Sequence, residues 1–285
     1  MPELPEVENI KLQLQSFLVG HRIRSVKINF PKVFHGNQRN VVGGIIIRVR
    51  RFAKVLSIDL DNDFSLVIHI KLTGQLIYRG PKLKNTPPLS KKIVGGIPGK
   101  HTLVVFKLDK DGVLYYNDVR RFGWIRTVET KEVERIDFIA KLGPEPLKDF
   151  TPEKFKEIVT STRRAIKTLL MDQSKVAGIG NIYANDALWL AKIHPAKKAS
   201  LLTEKEIHTL FKAIEHVLQK GLETGGASEL SFVTPDGTDG EYQKHFLAYG
   251  QGGKVCTRCK KEKYSKIKIA GRGTIFCPHC QKLSV

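Results

Sequence analysis

Four cysteines confine the end of this chain to a narrow choice of folds. Cys256 and Cys259 form one CxxC pair, Cys277 and Cys280 a second, with 17 residues between the pairs. A hairpin in that spacer brings the pairs together and offers four thiolates in a tetrahedral array, the donor set of a structural zinc. His279 lies inside the second pair, but four cysteines already complete such a site. The sequence holds no other cysteine, so the four read as metal ligands under reducing conditions and not as a disulfide framework.

The rest of the chain is basic. Lys and Arg number 48 against 28 Asp and Glu, a formal charge of +20, which is the balance of a polyanion binder. From Lys254 onward there are nine Lys or Arg and one acid, Glu262. A membrane surface would also attract such a charge, but no apolar run reaches the ~18 to 20 residues of a spanning helix. The N-terminus has no export-signal pattern. A soluble cytoplasmic protein without a membrane partner is the expectation.

Residues 25–128 read mainly as strands. Ile45–Val49, Val55–Leu60, Ser65–Ile70, Thr102–Leu108 and Val113–Tyr116 are rich in β-branched and aromatic residues with turn formers between several of them. Some alternate and some are continuously apolar, which suits a two-layer sandwich or flattened barrel better than a βαβ fold. Pro81–Lys100, with four Pro and three Gly, reads as a loop. A charged stretch then leads into Leu142-Gly143-Pro144-Glu145-Pro146-Leu147, where Gly and two Pro break any element, and the domain boundary is expected there. Beyond it the pattern is helical. Thr151-Pro152 marks a helix start. Thr203 and Glu206 form a capping box ahead of the stripe Ile207, Leu210, Phe211, Ile214, Val217 and Leu218.

The first eight residues, Met1-Pro2-Glu3-Leu4-Pro5-Glu6-Val7-Glu8, hold the most chemistry. An initiator Met before a residue as small as Pro is commonly removed, which would leave a secondary amine. An α-amino group titrates near ~8, and a secondary amine attacking a sugar carbon gives an iminium directly. Glu3 would sit beside it as a proton carrier. With Met1 retained, Pro2 would be an amide without a nucleophile. Pro5, Glu6 and Glu8 suit a helix N-terminus, and Val7, Ile10, Leu14 and Phe17 follow at helical spacing. Taken alone, the stretch is no more than a proline-started amphipathic helix.

Its company gives it meaning. The opening PELPEVE, the basic strand Arg50–Lys54, the run His69-Ile70-Lys71-Leu72-Thr73-Gly74, the turn Asn117–Trp124, the segment Met171–Asp186 and the paired CxxC motifs together resemble the bacterial formamidopyrimidine-DNA glycosylases over essentially the whole chain. That resemblance implies a multidomain α+β fold. Its parts are an N-terminal catalytic β-sandwich with an N-terminal helix (1–128), an interdomain hinge (129–150), a helical helix-two-turn-helix domain with a base-capping loop (151–253) and a C-terminal zinc-finger β-hairpin (254–285). It implies a monomer acting on damaged double-stranded DNA in the bacterial nucleoid, with one structural Zn2+ and no redox cofactor. The implied reaction is excision of oxidised purines through a Pro2 Schiff base, followed by β,δ-elimination.

Site residues follow by the same resemblance. Pro2 and Glu3 are catalytic, and Lys54 contacts the phosphate or lesion, although Ala53 stands where the family usually has Gly. Leu72 takes the place of the family's Met wedge, and an apolar side chain of this kind can fill the gap left by an extruded nucleotide. Arg120 and Phe122 match the pair that faces the orphaned base. Asn181, at a helix start after Gly178 and Gly180, is assigned to phosphate, with Lys167 as a second candidate. Arg272 lies at the finger tip. In the base-capping stretch 225–253, Ala227, Glu229, Leu230 and Phe232 depart from the family's pattern, which bears on lesion preference. Two rivals stand beside this reading. One is an endonuclease VIII-like glycosylase for oxidised pyrimidines, disfavoured by Leu4. The other is a non-catalytic zinc-finger DNA-binding protein, disfavoured by the intact Pro2, Glu3, Lys54 and Asn181.

Overall fold

The structure is a computed structural model that describes residues 1–283. It divides into two compact units: residues 1–140 with 221–243, and residues 141–220 with 244–285.

In the first unit, helix α1 (Leu4–Leu18) forms where expected, with Pro in its first turn and Val7, Ile10, Leu14 and Leu18 at most 1% exposed on one face. Nine strands follow: β1 (Ile23–Ile28), β2 (Phe34–His35), β3 (Ile46–Phe52), β4 (Val55–Leu60), β5 (Phe64–His69), β6 (Gly74–Arg79), β7 (Thr102–Leu108), β8 (Val113–Asp118) and β9 (Trp124–Glu129). They build two sheets, ordered β2-β9-β5-β4-β3 and β1-β7-β8-β6. Val49, Leu56, Ile58, Leu66 and Ile68 of the first share a core with Leu76, Tyr78, Val104, Phe106 and Tyr116 of the second. This is the expected sandwich. A single turn, α2 (Asp137–Ala140), follows.

Pairing register decides what the sandwich can carry at its edge. His69 lies opposite Trp124 in one sheet, and Gly74 lies opposite Asp118 in the other. Residues 70–73 and 119–123 therefore cross between the sheets at the same edge. Leu56 pairs with Ile68, so the β3–β4 turn at Ala53-Lys54 reaches that edge too. The His69–Gly74 run is thus the end of one strand, a turn, and the start of the next. Gly74 cannot be replaced cheaply, because a Cβ there would lie 2.5 Å from the Ile70 carbonyl oxygen.

In the second unit, α3 (Pro152–Thr160) starts at Thr151, whose hydroxyl accepts the Lys154 N–H at 3.3 Å. Then come α4 (Ile166–Leu170), α5 (Asn181–Leu190) and α6 (Glu204–Glu223), the last opened by Thr203 and Glu206 as expected. All six residues of the α6 apolar stripe are buried. Strands β10 (Ser265–Ile269) and β11 (Arg272–Phe276) form the C-terminal hairpin. Two packing relations do not follow chain order. Residues 221–243 pack with the first unit. Residues 254–283 pack with α5 in the second. In each case long-range hydrogen bonds, described below, override continuity along the chain.

Candidate active site and metal centre

Pro2 is buried and Met1 is 42% exposed at the start of α1. Glu3, 3% exposed, directly precedes the helix, and its N–H donates to Glu6 Oε2 at 2.7 Å. Because that nitrogen is bonded to the Pro2 carbonyl carbon, the hydrogen bond also fixes the plane next to Pro2. Glu6 is itself 1% exposed, and its other oxygen accepts the Ala227 N–H at 2.8 Å. The buried Glu6 carboxylate therefore joins the N-terminus to residue 227. In the sequence it reads only as a residue that suits a helix start.

An ion pair fixes the helix start against the sheet edge. Arg51 Nε donates to Glu8 Oε2 at 2.5 Å, and Arg51 Nη1 donates to the Ala53 carbonyl at 3.0 Å. Burial raises the Glu8 carboxyl, but Arg51 and Lys11 more than offset this and hold it below its ordinary value. Lys54 is 3% exposed on the turn so held. Beside it, His69 is 3% exposed and stacks edge-on with Trp124. Burial and the neighbouring charges of Lys71 and Lys54 push its imidazole down to about 3. His69 is thus neutral at neutral pH, and burial also lowers the Lys71 ammonium from its ordinary value. Ala53, Lys71 and Arg121 have φ of 49°, 49° and 57°, so all three edge turns hold a non-glycine residue in the left-handed region.

Leu72 and the Arg120–Phe122 pair share a support. Leu72 is half-buried and outside the core, against the ordinary fate of a leucine. Phe122 is 54% exposed, with the Arg120 guanidinium 4.7 Å from its ring centre. Between the two turns lies Asp118, fully buried. Its Oδ1 accepts from the Thr73 hydroxyl and, at 3.1 Å, from the Arg120 N–H; its Oδ2 accepts the Gly123 N–H at 2.8 Å. Gly123 is required, because a Cβ there would lie 1.9 Å from the Tyr116 hydroxyl. Asp118 was legible only as one acid in a turn motif.

The second unit carries the remaining candidates. Asn181 opens α5, following Gly180 in an extended conformation and Gly178 at φ 92°. Gln173 shapes the preceding turn, accepting the Gly178 N–H and donating to the Ile179 carbonyl. Lys167 is only 1% exposed, and its ammonium donates to Gly273 O at 3.0 Å and Thr274 Oγ1 at 2.7 Å. It holds the β10–β11 hairpin, beside a cavity of about 230 Å³ lined also by Arg164 and Arg272. Arg272 is exposed at the start of β11, after the left-handed tip Ala270-Gly271.

The four cysteines converge. Their Sγ atoms all lie within 4.8 Å of one another, with Cys256–Cys280 at 3.9 Å and Cys259–Cys277 at 3.6 Å. A tetrahedron with ~2.3 Å metal–sulfur bonds has edges of about 3.8 Å, so the donor set fits zinc. The metal-free thiols differ: at Cys256 burial is outweighed by the N–H groups of Cys259 and Arg258, which bring it down to about 6, while burial and the neighbouring cysteines push Cys280 up to about 12. His279 is not part of the cluster. The module is clasped to α5. Arg258 donates to the Trp189 and Leu190 carbonyls at the helix C-terminus, Asn185 accepts the Ile275 N–H, and Asp186 accepts the Ala248 and Tyr249 N–H groups.

Comparison with known proteins gives three family matches that together run along almost the full length. The formamidopyrimidine-DNA glycosylase N-terminal domain matches residues 1–125, the formamidopyrimidine-DNA glycosylase H2TH domain matches 142–232, and the zinc finger found in FPG and IleRS matches 253–283. The formamidopyrimidine-DNA glycosylase of Pelotomaculum thermopropionicum is 37% identical, with 99% of this chain and 100% of that protein covered. Wild-type Lactococcus lactis Fpg (MutM), solved with DNA containing N7-benzyl-Fapy-dG, superimposes with a TM-score of 0.86 at 36% identity, covering 99% of this chain and 100% of the other. The same protein solved with DNA containing an oxidised pyrimidine gives 0.85 at the same identity and coverage.

Proposed function

The chain belongs to the formamidopyrimidine-DNA glycosylase family, and from that premise we propose that it is a bifunctional DNA glycosylase and AP lyase. It excises oxidised purines, 8-oxoguanine and formamidopyrimidines, from duplex DNA with Pro2 as nucleophile. Met1 is removed first, since an amide nitrogen does not attack. The Pro2 amine adds to C1′ of the damaged nucleotide, the bond from C1′ to the base breaks, and the base leaves with a proton. Glu3 protonates the ring oxygen as the sugar opens, leaving an iminium. The iminium draws electrons from C2′, whose proton is lost as the 3′ C–O bond breaks; loss of a second proton expels the 5′ oxygen. Water then frees the proline, and a one-nucleotide gap remains.

Lys54 holds the phosphate beside the lesion. Leu72, Arg120 and Phe122 occupy the gap left by the extruded nucleotide, lowering an unstacking cost of a few kcal/mol. Asn181 and Arg272 bind backbone phosphate, and Lys167 supports Arg272 by holding its hairpin. Cys256, Cys259, Cys277 and Cys280 hold one structural Zn2+, and no redox cofactor enters. The protein works as a monomer on damaged double-stranded DNA, in the bacterial cytoplasm at the nucleoid. One observation carries this reading: the start of α1, with Pro2 and Glu3, is tied through Glu8 and Arg51 to the turn bearing Lys54. That turn lies at the sandwich edge that also presents Leu72, Arg120 and Phe122.

The test is borohydride trapping on duplexes carrying 8-oxoguanine, a formamidopyrimidine or thymine glycol, with mass spectrometry of the adduct. A covalent link at an N-terminal Pro2, formed fastest on the purine lesions, is expected. Fastest trapping on thymine glycol would favour the oxidised-pyrimidine rival. Tight binding of all three duplexes with no adduct from Met1-free protein would favour the non-catalytic one.

A further inference from the structure

The segment that would cover the extruded base is not a free loop. Ala227 is anchored by Glu6, and the Ser228 N–H donates to Gln243 Oε1 at 2.8 Å. Beyond the tip, Phe232 is 5% exposed in the sandwich core, and Val233 packs with Ile77 and Ile93. The Pro235 carbonyl accepts the Tyr78 N–H, the Asp236 carbonyl accepts from Arg79, and the Gly237 carbonyl accepts the Ser90 N–H, each at 2.8 Å. Between these anchors only Glu229 and Leu230 are exposed, Leu230 by 73%.

One anchor reaches the turn of Leu72. The Ser231 hydroxyl donates to the Leu72 carbonyl at 2.9 Å. Three residues further on, Gln75 is 4% exposed and its Nε2 donates to the Ser231 carbonyl at 2.7 Å and to the Lys92 carbonyl at 3.1 Å. Ser231 is therefore held on both its hydroxyl and its carbonyl by the strand and turn that carry Leu72. We propose that Ser231 and Gln75 couple the Leu72 turn to the Glu229–Leu230 tip, so that filling the gap in the duplex and covering the extruded base occur as one movement. This rests on the glycosylase reading above. Both are positioning residues: they touch neither the base nor the sugar, and act through the backbone of Leu72 and of the tip.

The coupling matters only while a base is present. With Ser231→Ala, the tip and the turn would move independently, and base removal would slow because gap filling no longer brings the cover with it. Strand cleavage at a preformed abasic site has no base to cover. Single-turnover rates are to be measured on an 8-oxoguanine duplex and an abasic duplex for wild type, Ser231→Ala, Ser231→Thr, Leu72→Ala and the Ser231→Ala/Leu72→Ala double variant. Ser231→Ala is expected to slow base removal about five- to tenfold, the loss of roughly one hydrogen bond. Abasic cleavage should stay within twofold, Ser231→Thr should restore the rate, and Ser231→Ala should have no further effect in the Leu72→Ala background. A 2-aminopurine opposite the lesion reports gap filling, and its signal should be delayed in Ser231→Ala. Gln75→Glu, which keeps the side-chain shape but removes the N–H donors, should reproduce the selective loss if Ser231→Ala melts early. Equal slowing on both duplexes, or additive effects of Ser231→Ala and Leu72→Ala, would overturn the coupling. Failure of the wild type to release the base would instead overturn the glycosylase reading.

Discussion

Glu6→Gln tests how the N-terminus is held. The substitution keeps the shape of the side chain but leaves one acceptor oxygen where two N–H groups, of Glu3 and Ala227, now donate at 2.7 and 2.8 Å. Whichever way the amide turns, its NH2 group faces one of those donors. Hydrogen bonds to a charged acceptor contribute about 1.5–3 kcal/mol, and this one is 1% exposed, so about 2–3 kcal/mol should be lost. For a unit of about 160 residues that is a fall in its melting temperature of roughly 5–10 °C. The kinetics report which bond broke. If the amide faces Glu3, the Pro2 plane shifts, and a displacement near ~1 Å can cost about a hundredfold in both base removal and abasic cleavage. If it faces Ala227, base removal falls and abasic cleavage is retained. Calorimetry with single-turnover assays on both duplexes measures this. A melting temperature within about 1 °C of wild type together with unchanged rates on both substrates would refute the reasoning.

The folded chain holds His69 neutral, while the unfolded chain protonates it below about 6.5, so its contribution is complete above that pH and is lost as pH falls toward 3. By pH 5 the loss is about 2 kcal/mol. Urea titrations at pH 7, 6 and 5 should show His69→Asn losing less stability than wild type over that range. Metal analysis should find one zinc per chain, and its chelation should expose four reactive thiols and weaken DNA binding more than it lowers the first unit's melting temperature. Arg272→Ala should reduce the slope of log affinity against log salt by about one. Lys167→Met should weaken binding with a smaller change of slope, because that ammonium grips the hairpin; equal slopes for the two variants would assign Lys167 to phosphate directly.

What could be read from the sequence depended on how local the cause was. Helix α1 was legible because Val7, Ile10 and Leu14 repeat along a single helix, and the metal cluster because CxxC spacing itself carries the geometry of two ligands. Strand β6 is not among the strand segments read from composition. Its first residue is Gly74, where a glycine lets the chain pass the Ile70 carbonyl. The resemblance groups the 221–243 segment with the helical domain, and nothing in its own residues names the surface beneath it. That surface is β6 and α1, reached through pairs such as Gln75–Ser231 and Glu6–Ala227, each more than 150 residues apart. Three of the four departures from the family's pattern look different once their contacts are known. Ala227 and Phe232 are buried anchors, and Leu230 is the exposed tip. Asp118 illustrates the same limit, since its role as a hub depends on Thr73 arriving from the other crossover.

The left-handed backbone at Ala53, Lys71 and Arg121 bears on how such a protein searches DNA. Each of these residues holds a conformation that disfavours it by roughly 1–2 kcal/mol, and the fold supplies that free energy once, when the chain folds. An edge set in advance has little conformational entropy left to lose at each encounter with a base pair. On the glycosylase reading, these three turns need not be ordered again at each inspection, and the Leu72 turn moves as a preformed unit. Damaged or mispaired bases leave the stack more easily than intact ones. If this edge meets the duplex as proposed, preformed turns let the DNA's own mechanics sort the bases before any chemistry begins.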